Sequence, residues 1–336
     1  MTANIPKVAL IGAGRMGAIH GRNAAANPRL DLVYLVESRP DAAASLASEL
    51  GCHTATSAEV LADASVAGVI IASPTSAHLE MALAALRAGK AVFCEKPLDL
   101  ELLQLRAAEA ELTDAAAPPL YVAFNRRFDA HFQALKAKLA SGAIGSLETL
   151  HLISHDPAPP PPSFIPTSGG LFRDFTIHDF DMACWLTEEL PHDVFAWAEC
   201  LVDPAIAAAG DVDTARVVLR YASGRICVIS NTRRSGYGYD QRVEAYGSRG
   251  AAMAGNPRTS TVETWTEAGA LSAPIFGSFP ARYERSYRAE LDHFADILAG
   301  AATPLTGYRA SLQALILADA AGRSVKAGAP VALEPA

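Results

Sequence analysis

From Val8 to Gly17 the chain reads Val-Ala-Leu-Ile-Gly-Ala-Gly-Arg-Met-Gly, an apolar strand-forming run that passes through three glycines into a helical stretch. Few local patterns restrict a fold as much, because each glycine in G-x-G-x-x-G has its own task. Gly12 permits a tight turn, Gly14 lets backbone approach a pyrophosphate, and Gly17 lets the helix pack close to the strand, aiming its N-terminus at phosphate. Gly12, Gly14, Arg15, Met16 and Gly17 thus form the expected cofactor-binding turn. Glycines alone are weak evidence, and the strand before them with an acid at the right distance is what strengthens the reading. That acid is Glu37, closing the next strand about 20 residues on, where a carboxylate can bond the ribose hydroxyls of a dinucleotide. NAD is favoured over NADP. Two alternatives stay open: Arg39 could accept a 2′-phosphate while Glu37 turns aside, or Glu37 could be a solvated turn residue.

Short apolar runs alternate with Ala/Leu-rich stretches up to about residue 121, with strands expected at Val8–Ile11, Leu32–Val36, Gly68–Ala72, Ala91–Phe93 and Leu120–Ala123. Strands apolar almost throughout are covered by helices on both faces, so a Rossmann-type, doubly wound parallel α/β sheet is predicted for residues 1–123. Beyond it the rhythm changes to one helix, Ala130–Ala140, and longer alternating runs at Glu148–Ser154, Val194–Leu201, Thr214–Tyr221, Arg225–Thr232 and Arg242–Tyr246. Alternation means one face buried and one open, so residues 124–336 are expected to form an α+β domain with a large, open, mainly antiparallel sheet. The proline cluster Asp156–Pro166 reads as a surface loop or lid, and two helices, Tyr283–Leu298 and Tyr308–Lys326, close the chain.

The 336 residues suit two domains, and with half of them hydrophobic and 19% charged there is ample material for cores. A net charge of −8 argues against nucleic acid or an anionic membrane as partner. The short polar start lacks a signal-peptide core and no apolar run reaches about 18 residues, so a cytoplasmic location is expected. Five scattered cysteines, never paired as CxxC, indicate neither disulfide framework nor zinc ribbon.

Two further segments carry chemistry. Ala91-Val-Phe-Cys-Glu95-Lys96-Pro97 ends an apolar strand in charges, over the crevice where open α/β sheets bind ligands. Lys96 could hold a reacting hydroxyl and stabilise its oxyanion character, though alone it is equally an exposed strand-end lysine. In Gly169–Trp185 the helical pattern puts Asp174 and His178 four apart on one face. Removing hydride from a CH–OH carbon leaves a proton to be taken, and imidazole titrates near neutrality, so His178 can be the base while Asp174 orients it or binds hydroxyls. The bland alternative is a helix with acids near its start and a satisfied histidine. A metal site is not favoured: His151 and His155, in a strand pattern, would stand about 13 Å apart.

These segments resemble the Gfo/Idh/MocA family of oxidoreductases, and within it the bacterial inositol 2-dehydrogenases. The likeness runs over nearly the whole chain and rests on GAGRMG, FCEKPL, VAFNRRFD (Val122–Asp129), GGLFRDFTIHDFDM, and Asn231–Gly247 with its Gly-Tyr-Gly-Tyr-Asp core. The resemblance implies a catalytic triad of Lys96, Asp174 and His178, and a cis proline in Glu95–Lys96–Pro97. It also places Ser73, Pro74, Thr75 and His78, with Glu95 and Lys96, near the cofactor, and Asn125, Arg127, Tyr237 and Tyr283 with the triad near the substrate. Relatives pack the open sheet face on another subunit, so a homo-oligomer, in particular a tetramer, is implied. The Asp156–Pro166 loop and Arg234-Ser-Gly before Tyr237 depart from the pattern and could reshape the pocket.

The implied activity is NAD-dependent oxidation of a secondary hydroxyl of a cyclic polyol, with myo-inositol giving 2-keto-myo-inositol (scyllo-inosose) as the leading case and catabolism of the polyol as the setting. Another inositol isomer, a pyranose or an anhydrosugar is the near alternative. NAD-dependent glycoside cleavage and a non-catalytic NAD sensor are the rivals from other classes.

Overall fold

The computed structural model of the protein describes residues 5–333. The chain divides into two compact units: one comprises the residues up to Phe128 together with Arg285–Leu312, the other Asp129–Glu284 together with the residues from Gln313 on.

The first unit is built on a six-stranded, all-parallel sheet. Its strands are β1 (Lys7–Ile11), β2 (Asp31–Val36), β3 (His53–Thr54), β4 (Val66–Ile71), β5 (Ala91–Glu95) and β6 (Leu120–Ala123), in the order β3-β2-β1-β4-β5-β6. This is the doubly wound Rossmann order, in which the connections reverse direction between β1 and β4 and leave a ligand crevice at the carboxyl ends. Five strands match the sequence expectation within about a residue or two. The sixth, β3, is only two residues long and exposed, and carries no apolar run to betray it.

The sequence boundary at residue 123 leaves out a stretch that completes this unit. The helix Glu284–Leu298 supplies Leu291, Phe294, Ala295 and Ile297 to the core formed by Val8, Leu10, Ile70, Phe93 and Tyr121. Phe294 lies so close to β4 that a Cβ added at Gly68 would stand 2.9 Å from its Cζ. A helix that begins about 160 residues beyond β6 in the chain therefore forms one wall of the Rossmann core, which no local periodicity can announce.

The second unit carries a seven-stranded mixed sheet. Its strands β7 (Leu147–His155), β8 (Asp193–Glu199), β9 (Thr214–Arg220), β10 (Ile226–Thr232), β11 (Asp240–Gly247) and β12 (Gly250–Ala254) combine with β15 (Val331–Ala332) in the order β12-β11-β7-β10-β9-β8-β15. Only β7 and β10 pair in parallel. A separate ribbon, β13 (Glu263–Thr266) with β14 (Gly269–Ser272), went unread in the sequence and is exposed throughout. Burial alternates along β7, β9 and β10, which separates a core face from an open one. Register places Phe195, Val218, Val228, His151, Glu244 and Met253 in one row across the open face. Asp156–Phe164 is a largely exposed loop ending in a 3-10 turn at Pro162–Phe164, but the expected loop does not extend to Pro166. Ile165–Ser168 is a short helix with Pro166 in its first turn, where proline's missing N–H costs nothing, and Ile165 is buried.

Candidate active site

Every first-unit residue singled out from the sequence lies at a carboxyl end of the parallel strands. Gly12 leaves β1 with φ +104, and a Cβ there would stand 2.5 Å from the Ala72 carbonyl oxygen; a Cβ on Gly17 would stand 2.0 Å from the Gly12 oxygen. Both positions therefore require glycine. Gly14 differs, since a Cβ there would meet nothing within 4 Å. Its service is to leave space above the helix Arg15–Ala25, whose first turn has no acid and no capping side chain. The unsatisfied N–H groups of such a turn form a ready site for a pyrophosphate. Arg15 is exposed and Met16 half-buried beside this turn.

Glu37 follows β2 with its Oε2 accepting from the Ala13 N–H at 2.8 Å and its Oε1 accepting from the Arg39 Nε–H at 3.0 Å. The hydrogen bond from Arg39, aided by the Ala13 amide and opposed by partial burial, lowers its carboxyl to about 2. The acid is thus ionised and held beside the glycine turn, as a ribose acceptor must be. Arg39 is occupied in pairing with it instead of being turned outward for a 2′-phosphate.

At the β4 end, Ser73, Pro74 and Thr75 lead through a 3-10 turn into the helix His78–Arg87. Buried His78 bridges two loops, with Nδ1 2.8 Å from the Pro97 carbonyl and Nε2 2.9 Å from the Ser73 carbonyl. The Lys96–Pro97 peptide is cis. Lys96 is half-buried, whereas Glu95 is buried at 6% exposure and bonded to His20, which sequence reasoning overlooked. Asn125 and Arg127 sit in the 3-10 turn after β6 and are both buried. The Asn125 Nδ2 has no partner among the described residues, and so keeps a donor in reserve.

In the second unit the expected single helix is interrupted. Phe172–Thr176 forms a π turn, which then continues as the α-helix Ile177–Thr187. Asp174 lies in the π turn and His178 in the first turn of the α-helix, both half-buried. Such widened turns recur at functional sites because they re-aim side chains. Asp179 fixes this turn: it accepts from Ser154 Oγ on β7 at 2.6 Å and from Asn231 Nδ2 on β10 at 2.8 Å, while Thr176 Oγ1 donates to Asn231 Oδ1 at 2.8 Å. The Arg233 guanidinium, with the residue 2% exposed, stands 3.6 Å from Asp174. A buried arginine beside a carboxylate holds that carboxylate in place. Arg233, one residue beyond β10, carries no motif of its own and was not singled out.

The second unit also carries Tyr237 and Tyr283, the remaining expected substrate contacts. Tyr237 is 58% exposed and donates to Asp240 Oδ2 at 2.7 Å, in an open depression shared with Arg242, Asn256 and Arg258. Tyr283 is 2% exposed, its ring edge-on to Tyr239 and covered by the Arg282 guanidinium.

The strand order, the glycine turn and the acid bound beside it define a dinucleotide-binding oxidoreductase domain. Comparison agrees: residues 6–118 match the model of the oxidoreductase family with an NAD-binding Rossmann fold, and residues 132–253 match the Gfo/Idh/MocA C-terminal domain. The chain belongs to the Gfo/Idh/MocA family of NAD-binding oxidoreductases. It is 43% identical to an inositol 2-dehydrogenase of Rhizobium meliloti, across 94% of this chain and 96% of that one. A myo-inositol 2-dehydrogenase of Thermotoga maritima is 40% identical across 98% of both chains. The crystal structure of a myo-inositol dehydrogenase from Corynebacterium glutamicum superposes with a TM-score of 0.93 at 39% identity, covering 99% of this chain and all of the other. Among the described residues no helix is long and apolar enough to cross a membrane.

Proposed function

We propose that this protein oxidises the secondary hydroxyl at C2 of myo-inositol, passing hydride to NAD⁺ and releasing 2-keto-myo-inositol and a proton. The observation that carries this reading is kinship along nearly the full length with inositol 2-dehydrogenases, with the EKP and D-x-x-x-H motifs intact. Bound NAD⁺ supplies the hydride acceptor; Gly12, Gly14 and Gly17 admit its pyrophosphate and Glu37 its adenosine ribose.

The chain's own residues do the rest. Lys96 donates a charge-assisted hydrogen bond to the reacting oxygen and stabilises the negative charge that develops there. His178 takes the hydroxyl proton, for which imidazole is suited near neutral pH. Asp174, held by Arg233, binds a neighbouring hydroxyl or orients the imidazole. Asn125 adds a donor for a further hydroxyl. The protein works as a homo-oligomer, a tetramer, that covers the open sheet face, where Trp197 and Met253 are 61% and 60% exposed.

The test is NADH formation by purified protein with myo-, scyllo- and D-chiro-inositol, glucose, galactose and anhydrosugars, each repeated with NADP⁺. A clear preference for myo-inositol with NAD⁺ is expected. Sugar release without net NADH, or tight NAD⁺ binding with no turnover on any polyol, overturns the reading. His178→Ala should lower kcat by about two to four powers of ten while leaving NAD⁺ affinity nearly intact; unchanged turnover removes His178 from the mechanism.

A further inference from the structure

Behind the end of β5, in the interior of the first unit, lies a group of titratable side chains that hydride transfer does not itself use. His20, on the helix that receives the dinucleotide phosphates, is fully buried and its Nε2 stands 2.6 Å from Glu95 Oε1. The other oxygen of Glu95, Oε2, accepts the backbone N–H of Lys96 at 3.1 Å. His20 is clamped edge-on between Phe93, with centroids 4.9 Å apart, and Tyr287, at 5.7 Å. A second buried acid, Glu290, accepts from the Tyr121 hydroxyl at 2.8 Å.

The two acids are pushed opposite ways. Burial raises Glu95, but the His20 hydrogen bond and the nearby Lys96 and His78 charges outweigh it and leave the carboxyl below its usual range. Burial, reinforced by the Glu95 charge, drives Glu290 well above it. The interior thus holds one carboxylate and one neutral acid, and the charge lies next to Lys96.

We infer that Glu95 and His20 form a positioning pair for Lys96, in which one carboxylate oxygen anchors the Lys96 backbone and the other is held by the helix that binds the cofactor phosphates. This rests on the role given to Lys96 above. It moves Glu95 from the cofactor contacts to a place behind the lysine, where both of its oxygens are engaged within the protein. The physical argument is one of cost. Replacing a buried ionic pair by apolar residues is often neutral or stabilising, so a charged carboxylate kept in this interior is poorly explained by stability alone. Its location explains it: the carboxylate fixes the Lys96 amide, and that amide sets where the lysine side chain starts.

The experiment uses the NAD⁺-loaded protein and four variants. Glu95→Gln removes the charge, His20→Leu removes the clamp, His20→Gln keeps an N–H donor toward Glu95, and Glu290→Gln replaces a neutral acid by a neutral amide. Loss of a charge-assisted contact predicts kcat/KM for myo-inositol lower by about 10- to 100-fold in Glu95→Gln and His20→Leu, with NAD⁺ affinity near wild type; His20→Leu, which leaves the Glu95 carboxylate without its imidazole, should also melt lower. His20→Gln should recover most of the loss, and Glu290→Gln should match wild type. A Glu95→Gln enzyme within about threefold of wild type, or a His20→Gln enzyme as damaged as His20→Leu, overturns the inference. A wild-type protein that oxidises no inositol instead refutes the substrate proposed above. Positioning is then decided without turnover by hydrogen exchange at the Lys96 amide, expected to quicken about tenfold or more in Glu95→Gln and His20→Leu only. Equal exchange in all five proteins overturns it.

Discussion

Coenzyme choice should turn on Glu37, and Glu37→Gln isolates its charge. The amide oxygen of glutamine can still accept the Ala13 N–H, and Arg39, whose side chain is 67% exposed, loses only a surface ion pair. Such pairs are worth about 0–1 kcal/mol, so the fold should be barely affected. The coenzyme should be affected far more. A hydrogen bond to an ionised acceptor contributes about 1.5–3 kcal/mol against about 0.5–1.5 for a neutral one. Two ribose hydroxyls therefore lose about 2–3 kcal/mol together, or about 30- to 150-fold in kcat/KM for NAD⁺. NADP⁺ should gain at the same time, because the repulsive carboxylate is gone and Arg39 is released toward a 2′-phosphate. The assay is kcat/KM for both coenzymes at fixed myo-inositol. Since the wild-type carboxyl lies at about 2, its preference should hold steady across the working pH range. A ratio of the two coenzymes that moves by less than about threefold would refute the assignment of Glu37 to the ribose.

Gly14→Ala should fold with a melting temperature close to wild type, because its Cβ meets nothing, yet weaken NAD⁺ by about tenfold or more by filling the space the pyrophosphate needs. Gly17→Ala, forced against the Gly12 carbonyl, should lose both stability and NAD⁺ binding; a stable, NAD⁺-competent protein would contradict the turn geometry. Asp213 is fully buried and accepts the Leu201, Val202 and Asp203 amides, which outweigh burial and bring its carboxyl from 3.8 to about 2. A depressed folded value means that its stabilisation is complete above the unfolded value and disappears as pH falls toward 2, so Asp213→Asn should cost about 2 kcal/mol at neutral pH and much less near pH 2. Chemical denaturation at both pH values reads this, and an equal cost at both would contradict it. Trp197→Glu on the open sheet face should yield a smaller species in light scattering; an unchanged mass would remove that face from assembly.

What could be read from sequence was whatever is encoded locally. The strand, glycine turn and acid of residues 8–37 are short-range devices, and both their form and their surroundings match what the spacing implies. The Ala130–Ala140 helix has the predicted bounds, helped by Asp129, whose side chain accepts the His131 and Phe132 amides. Illegible features depend on partners far along the chain. His20 and Glu95 are 75 residues apart, Tyr121 and Glu290 are 169 apart, and neither pair has a spacing signature. The π turn around Asp174 escaped because one extra residue in a helical ring leaves apolar periodicity almost unchanged. Tyr283 was placed near the substrate by family resemblance alone, and its packing between Tyr239 and Arg282 has no local signature either.

The divided ownership of the sequence has an evolutionary corollary. Because the polypeptide passes between its units after Phe128, Glu284 and Leu312, neither is encoded by one uninterrupted stretch of gene. A fragment cut at Phe128 would keep all six parallel strands yet lack the helix bearing Leu291 and Phe294, leaving Phe93 and Gly68 bare to solvent. Shuffling halves among homologues would then succeed only when the 285–312 stretch travels with the parallel sheet it covers.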